Sequence, residues 1–226
     1  MGEFISILIN SYNRADALRR NLELALAQDY PRDRFEVIVM DDASTDGTWE
    51  MLSSLAAGHP NLRVIRNEHN LEIVGCRQKL FENLSAQSGI AVLVDDDVSL
   101  PQDFLSSAGA YMGAHPGIGA MGPRVVYAKD PARLAHEPNF VGHLTGLYSS
   151  RPAEGITDCD WLIACCLALR VEGIRKTGGF DVSFVNSHEE VDLCLKLKTM
   201  GYRIVYYPLV TVRHDIGEVK RKAGRL

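Results

Sequence analysis

The sequence lacks the patterns that identify several large classes of protein. None of its five cysteines stands in a C-x-x-C pair, so neither a disulfide framework nor a zinc ribbon is indicated, and the expected compartment is reducing. No apolar run approaches the length of a membrane span, and the N-terminus lacks the basic and apolar regions of a signal peptide. We therefore expect a cytoplasmic protein. A short basic tail predicts either a solvated end or peripheral contact with the inner face of a membrane; its residues are Lys220, Arg221, Lys222 and Arg225.

Two further absences concern the ligands that the chain binds. Positive charge does not predominate, since 24 lysines and arginines stand against 29 aspartates and glutamates, giving a net charge of −5. Nucleic acid is therefore excluded as the main partner, because backbone binding needs a basic face. The first turn, Ser11-Tyr12-Asn13-Arg14, contains no glycine. It thus lacks both the G-x-G-x-x-G of nicotinamide enzymes and the glycine-rich phosphate loop of nucleotidyltransferases.

What the sequence does contain is a regular alternation of apolar and amphipathic segments through residue 115. Apolar runs at residues 4–10, 35–40, 62–66 and 91–94 have the composition of buried strands. A helix capped by Asn13 is predicted after the first run, and further helices are predicted up to residue 57 and at residues 74–86 and 103–114. This alternation predicts an α/β domain with a mostly parallel sheet and helices on both faces.

Polar side chains follow three of the predicted strands directly: they are Asn10, Asp41, Asp42, Asp95, Asp96 and Asp97. Because ligands of parallel sheets collect at the carboxyl ends of the strands, we expect one acidic crevice there. Three adjacent aspartates repel one another, which favours a site for Mg²⁺ or Mn²⁺ shared with substrate phosphates. The alternative for Asp95, Asp96 and Asp97 is a solvated acidic turn that caps the next helix, and the alternative for Asp41 and Asp42 is a helix-capping turn.

The pattern changes after residue 116. Residues 125–127 predict a short strand, and residues 129–160 have no clean period, which is typical of a functional loop or of disorder. Core-like sequence returns at residues 160–169. Helices at residues 171–177 and 191–200 and two closing strands at residues 202–207 and 210–214 complete the predicted domain.

Four segments resemble, in this order, the family 2 glycosyltransferases of the GT-A fold: ILINSYNRADALRRNLELALAQDYP, FEVIVMDDASTDGT, VLVDDDVSLP and GGFDVSFVNSHEEVDLCLKLKTMGYRIVYYP. The resemblance implies a single GT-A (Rossmann-like) domain with a nucleotide-binding half at residues 1–115 and an acceptor and catalytic half at residues 116–226. It implies an inverting enzyme that moves a sugar from a UDP, dTDP or GDP donor to a saccharide or lipid-linked acceptor. A role in cell-surface polysaccharide synthesis is a family-level expectation.

The resemblance also implies a donor site. The loop from Asn10 through Tyr12 to Arg14 is similar to the nucleotide-pocket loop of the family. Asp42, with Asp41 beside it, is similar to the carboxylate that holds the base or the ribose of the donor.

The third matching segment implies the metal site. Asp95 and Asp97 are similar to the outer residues of the family's D-x-D motif, with Asp96 between them. Asp97 is the expected direct ligand of Mn²⁺ or Mg²⁺. His214 lies where some relatives place a late histidine ligand, and the alternative is a histidine satisfied by structural contacts.

Glu189 and Glu190 stand where the family has an acidic pair, usually Glu-Asp, whose second member is the catalytic base. A carboxylate in this role takes the proton of the acceptor hydroxyl as it attacks the anomeric carbon. Glu190 is one methylene longer than the usual aspartate, so the choice between the two glutamates stays open. Their alternative role is that of favourable first-turn residues of a helix.

Other residues carry weaker signals. Arg77 lies near Gly75 and is placed either against a phosphate or base of the donor or on the surface. Trp161 either stacks on an acceptor sugar or packs in the core. Three residues of the irregular segment are further acceptor-site candidates: they are His136, His143 and Tyr148.

One rival function fails on a single position, and two others stay open. A phosphatase of the haloacid dehalogenase type needs D-x-D-x-T, and Ala43 stands where its second aspartate must be. A sugar nucleotidyltransferase remains an alternative despite its missing phosphate loop. A non-catalytic relative that binds nucleotide sugars is not excluded by any residue.

Overall fold

The computed structural model describes residues 2–142, 145–184 and 188–216; the basic tail and His143 lie outside these ranges. The helices are α1 Ala15–Leu26, α2 Thr48–Ala56, α3 Glu72–Glu82, α4 Phe104–Ala114, α5 Val171–Thr177 and α6 Glu189–Thr199. The strands are β1 Ile5–Ser11, β2 Phe35–Asp41, β3 Leu62–Arg66, β4 Ile90–Val94, β5 Val98–Ser99, β6 Ile118–Tyr127, β7 Asp130–His136, β8 Asn139–Val141, β9 Tyr148–Ser150, β10 Thr157–Cys159, β11 Cys166–Arg170 and β12 Arg203–His214.

One mixed sheet dominates the molecule. Its main strands follow the order β10-β12-β6-β11-β4-β1-β2-β3, with β5 added to β12 and β7 added to β6. The strands β3, β2, β1 and β4 are parallel, as the alternation predicted. β11 runs antiparallel between β4 and β6, while β12 is parallel to β6. The predicted α/β class with a mostly parallel central sheet is confirmed.

The sheet is buried on both faces because its central strands are apolar at nearly every position. In β1, Ile5, Ile7 and Ile9 pack with α1, α2 and α4, whereas Leu8 packs with α3, α5 and α6 on the other face. Burying one such side chain contributes about 1.5–3 kcal/mol. Helices therefore cover both faces, and the ends of the strands are left for a ligand.

Two parts of the C-terminal half differ from the prediction. The segment at residues 129–160 is not devoid of regular structure, since β7, β8, β9 and β10 lie within it. β8, β9 and β10 have only three residues each, and the longer β7 is a mostly exposed edge strand, so their sequences lack a hydrophobic period. The two predicted closing strands are one strand, β12, with a register shift between Tyr207 and Thr211. Pro208 lies at this irregularity, because proline has no N–H to donate to the ladder.

Candidate active site

The polar residues that follow β1, β2 and β4 meet at one edge of the sheet. Ser11 and Asp41 are paired in register at the ends of β1 and β2, and β4 ends at Val94, just before the three aspartates. The hydroxyl of Ser11 donates to Asp96 Oδ2 at 2.6 Å, which ties the end of β1 to the aspartate turn. The predicted convergence at the carboxyl ends of these strands is confirmed.

Asp97 is held by the side chains of Arg14 and His214. Its Oδ2 accepts from a terminal nitrogen of Arg14 at 2.9 Å, and its Oδ1 lies 3.1 Å from His214 Nε2. Burial alone raises the pKa of the Asp97 carboxyl, but His214 and Arg14 hold it below its ordinary value. Asp97 is therefore a carboxylate at neutral pH, as a metal ligand must be.

His214 reaches this site because β12 pairs with β5, the strand that follows the aspartates. His214 is paired with Val98, and the N–H of Asp215 donates to the Asp97 carbonyl at 2.9 Å. Ligand atoms of Asp95, Asp97 and His214 lie within 4.8 Å of one another. Two carboxylates and an imidazole form a donor set that suits Mn²⁺.

Asp96 points away from this group and into the protein. Its carboxylate accepts from Ser11 and lies 3.3 Å from Arg14, and its carbonyl accepts from Asn21 Nδ2 at 2.8 Å. Burial, with the charges of Asp97 and Asp95, raises the pKa of Asp96 to about 6 despite these contacts. Asp96 and Asp97 are only 6 % and 9 % exposed, so the alternative of a solvated acidic turn is wrong.

Arg77 joins the aspartates to the acidic pair of α6. One terminal nitrogen of its buried guanidinium donates to Asp95 Oδ1 at 2.8 Å, and the other forms an ion pair with Glu189 Oε1. The Asp95 side chain is 32 % exposed, and that of Glu189 is 2 % exposed. Both terminal nitrogens of Arg77 are thus engaged by carboxylates, and its predicted contact with a phosphate or a base stays a prediction.

Glu189 and Glu190 lie in the first turn of α6, which begins two residues earlier than the sequence predicted. His188, the residue before them, has φ +73°, a conformation that non-glycine residues rarely adopt and that marks many functional sites. Burial, with the charge of Glu189, raises the pKa of Glu190 to about 6. Glu190 is therefore ionised at neutral pH and is a stronger base than an exposed glutamate.

Asp41 holds the loop after β2. Its Oδ1 accepts from the Ser44 N–H at 3.1 Å, and its Oδ2 lies 3.2 Å from Arg66 Nε. The first residue of α2, Thr48, instead donates its N–H to Asp46 at 3.1 Å. The alternative that the acidic pair at residues 41–42 caps this helix is therefore wrong.

Asp42 holds the loop after β3. Its Oδ1 accepts from Asn67 Nδ2 at 2.8 Å and from the Leu71 N–H at 2.9 Å. Asn67 and Ser11 were not singled out in the sequence, although each occupies the same kind of position as the predicted site residues. Asn67 directly follows β3 and Ser11 ends β1, so extending the rule of polar residues at strand ends would have found both.

The loop between β1 and α1 is fastened to the loop after β2. Asn13 has φ +54°, its N–H donates to the Ser44 hydroxyl at 2.9 Å, and its Oδ1 accepts from the Thr45 N–H at 2.7 Å. The prediction that Asn13 caps α1 is wrong, because its side chain is used between loops and the cap position belongs to Arg14. Tyr12, at the tip of the loop, is 47 % exposed. Asn10 is half-buried at the end of β1.

Trp161 lies on the C-terminal side of the molecule, next to an open cleft of about 260 Å³ that His136 also lines. Its ring is 5.6 Å from that of Tyr148 in an edge-on arrangement. The Trp161 carbonyl accepts from the Asn139 N–H at 3.2 Å, while its indole nitrogen has no protein partner among the described residues. The structure therefore brings together three of the predicted acceptor-side residues.

A sequence model of known proteins identifies the family. The model described as glycosyl transferase family 2 matches residues 6–178, which include both acidic strand ends. The chain belongs to glycosyltransferase family 2. The family membership expected from the four sequence segments is thereby confirmed.

Similar proteins and similar solved structures match nearly the whole chain. The pre-mycofactocin glycosyltransferase of Mycobacterium tuberculosis is 26 % identical over 218 residues, which cover 93 % of this chain and 42 % of the relative. The mannosyltransferase PcManGT of Pyrobaculum calidifontis, solved with GDP-Man and Mn²⁺, has a TM-score of 0.75 at 22 % identity, covering 96 % of this chain and 58 % of that one. A fragment of S. aureus TarS in complex with UDP-GlcNAc has a TM-score of 0.71 at 18 % identity, covering 98 % and 61 %.

The chain spans less than two thirds of the length of these relatives. None of the helices that the structure describes combines the length and the apolar character required to cross a bilayer.

Proposed function

We propose that this chain is a metal-dependent inverting glycosyltransferase that moves a sugar from a nucleotide diphosphate donor to a hydroxyl of a saccharide or lipid-linked acceptor. One observation carries the proposal. In this member of family 2, Arg77 contacts both Asp95 and Glu189, and so connects the group of Asp95, Asp97 and His214 to the acidic pair of α6. The nucleotide sugars bound to similar structures support the donor class. A role in cell-surface polysaccharide synthesis is proposed on the family resemblance alone.

Asp95, Asp97 and His214 would hold Mn²⁺ or Mg²⁺. Both ions prefer carboxylate oxygens, and an imidazole ligand favours Mn²⁺ of the two. The Mn²⁺ in the structure of the similar mannosyltransferase supports this assignment. When bound, the ion would neutralise negative charge that develops on the diphosphate leaving group.

Glu190 is the proposed base. Its raised pKa suits it to accept the proton of the acceptor hydroxyl while that oxygen attacks the anomeric carbon. A single displacement with the base opposite the leaving group inverts the configuration at that carbon. Glu189 is the proposed positioning residue, because its ion pair with Arg77 fixes the first turn of α6 beside the aspartates.

Donor binding is assigned to the loops after β1, β2 and β3. Asn10, Tyr12 and Arg14 are proposed to line the nucleotide pocket. Asp41 and Asp42 are proposed to face the base or the ribose. Their contacts with neighbouring loops support this role, since they give the pocket a fixed shape before the donor arrives. Asp96 is proposed to support the donor loop through its contacts with Ser11 and Arg14, and Trp161 is proposed to stack on the acceptor sugar.

The proposal is tested first by thermal unfolding in a panel of UDP, dTDP and GDP sugars with Mn²⁺. A donor present at 100 times its Kd stabilises the folded state by about 2.7 kcal/mol. Donors that stabilise the protein are then used in transfer and hydrolysis assays with Mn²⁺ and with EDTA.

Variants separate the proposed roles. Asp97→Ala should lose metal-dependent donor binding, whereas Glu190→Gln should keep it and lose about 10²–10⁴-fold in turnover. Asp158→Asn, at an exposed ion pair, is the matched control and should behave as wild type. No donor binding and no metal dependence in the native protein would overturn the proposal. Donor binding without turnover would identify a non-catalytic relative instead.

A further inference from the structure

A second group of metal-ligand side chains lies beside the first and shares one residue with it. Ligand atoms of His136, Cys165 and His214 lie within 4.8 Å of one another. From this geometry we infer a zinc site that competes with the Asp95 and Asp97 group for His214. The zinc site stands on its own residues, whereas its inhibitory effect depends on the proposed function.

The topology of the sheet creates the group. β11 pairs with Ala120 and Met121 of β6, and β7 pairs with β6 from Val125 onward along the same edge. Cys165 precedes β11, and His136 ends β7, so the two meet where one strand replaces the other on this edge. β12 occupies the opposite edge of β6 and brings its last residue, His214, to the same place.

The ligand atoms are available for a metal. His136 Nε2 and His214 Nδ1 are both buried without a hydrogen-bond partner among the described residues. Buried polar atoms are normally satisfied, so two orphaned imidazole nitrogens near a thiol call for a physical explanation. A bound cation satisfies both nitrogens and displaces the thiol proton of Cys165.

The group of His136, Cys165 and His214 favours a softer metal ion than the group of Asp95, Asp97 and His214 does. A thiolate with two imidazoles suits Zn²⁺, which accepts three protein ligands and leaves one position open. Two carboxylates with one imidazole suit Mn²⁺ instead. The cleft lined by His136, Trp161 and Ile163 reaches one member of the group, His136.

Sharing of His214 makes the two sites exclusive. Nε2 of His214 faces Asp97 at 3.1 Å. A neutral imidazole offers one nitrogen lone pair, so a zinc ion bound at His214 Nδ1 leaves the ring proton on Nε2, which then donates to Asp97 and cannot bind manganese. One equivalent of Zn²⁺ should therefore lower the affinity for Mn²⁺ at least about tenfold. Tenfold is the lower end of the loss seen when the groups that support a metal ligand are changed.

Cobalt(II) spectroscopy tests the site without any assay of activity. Co²⁺ bound by a thiolate gives a charge-transfer band in the near ultraviolet that carboxylate and imidazole ligands do not give. We expect this band in the native protein at one equivalent, its displacement by Zn²⁺, and its loss in Cys165→Ser. The matched control is Cys166→Ser, which removes the adjacent buried thiol and should keep the band.

Two further measurements make the outcome decisive. His136→Asn changes a half-buried side chain and should weaken Zn²⁺ binding in calorimetry at least tenfold, even if Cys165→Ser fails to fold. Circular dichroism checks the fold of each variant. Absence of the band in the native protein, or its persistence in folded Cys165→Ser, would overturn the inference. A cobalt–thiolate band in a protein without glycosyl transfer would leave the zinc site intact and refute only the proposed function.

Discussion

Replacing Arg77 with methionine should destabilise the folded protein strongly. The Arg77 side chain is 7 % exposed and neutralises Glu189, which is 2 % exposed, and Asp95, which is 32 % exposed. Methionine replaces the apolar stem of the arginine but leaves the two carboxylates without their cation. Removing one partner of a buried ion pair costs about 3–5 kcal/mol, because the remaining charge is buried and uncompensated. Most of this loss should come from Glu189, since Asp95 is partly solvated.

Urea unfolding at pH 7 in EDTA measures the effect. The loss should remain measurable, because domains of this kind are stable by about 5–15 kcal/mol. The exposed pair of Arg203 and Asp158 provides the control: both hydrogen bonds are 2.9 Å, but the side chains are 50 % and 60 % exposed. Arg203→Met should therefore cost no more than about 1 kcal/mol.

A double variant distinguishes a lost ion pair from lost packing. Glu189→Gln removes the stranded charge, so Arg77→Met combined with Glu189→Gln should recover at least half of the loss caused by Arg77→Met alone. Additive effects of the two substitutions, or a loss below about 1 kcal/mol for Arg77→Met, would refute the reasoning.

Three further predictions concern α6 and the turn that ends α5. The pKa of Glu190 is about 6 in the folded protein and 4.5 in the unfolded chain, so the contribution of this carboxyl to stability falls as the pH rises from 4.5 to 6. Glu190→Gln should therefore raise the free energy of unfolding, measured in urea at pH 7, by up to about 2 kcal/mol. An equal rise at pH 4 would contradict this. Leu193 is fully buried, so Leu193→Ala should lower the free energy of unfolding by about 2–5 kcal/mol. Leu195 is 37 % exposed, so Leu195→Ala should lower it far less. Similar shifts of the thermal midpoint for the two variants would contradict this prediction. Gly179 has φ +89°, so Gly179→Ala should lower the free energy of unfolding by at least about 1 kcal/mol. Gly58→Ala is the control and should be tolerated. Equal urea midpoints for the two variants would contradict the prediction.

Much of the N-terminal half was accessible from the sequence. The apolar runs of β1, β2 and β4 are unbroken because both faces of these strands are buried, and that pattern reports directly on a parallel sheet. The polar residue at each strand end then placed Asp42 and Asp97 at one edge without any further information.

The remainder depends on contacts between segments that are distant in sequence. No local pattern shows that Arg77 is shared by Asp95 and Glu189, since each of the three residues lies on a different element. The side chain of Asn13 suited a helix cap locally, but the loop at Thr45 competes for it in the folded protein. The ligand group around Cys165 was hidden for the same reason, because strand pairing alone brings its members together.

The order of strands also determines when each part of the sheet can form during synthesis. β3, β2, β1 and β4 are neighbours in space and come from the first 94 residues, so they can assemble as soon as that segment has left the ribosome. β6 emerges next but borders β11 and β12, both of which are made later. The nascent domain therefore carries an open sheet edge until β12 arrives, and Asp95 and Asp97 meet His214 only at that stage.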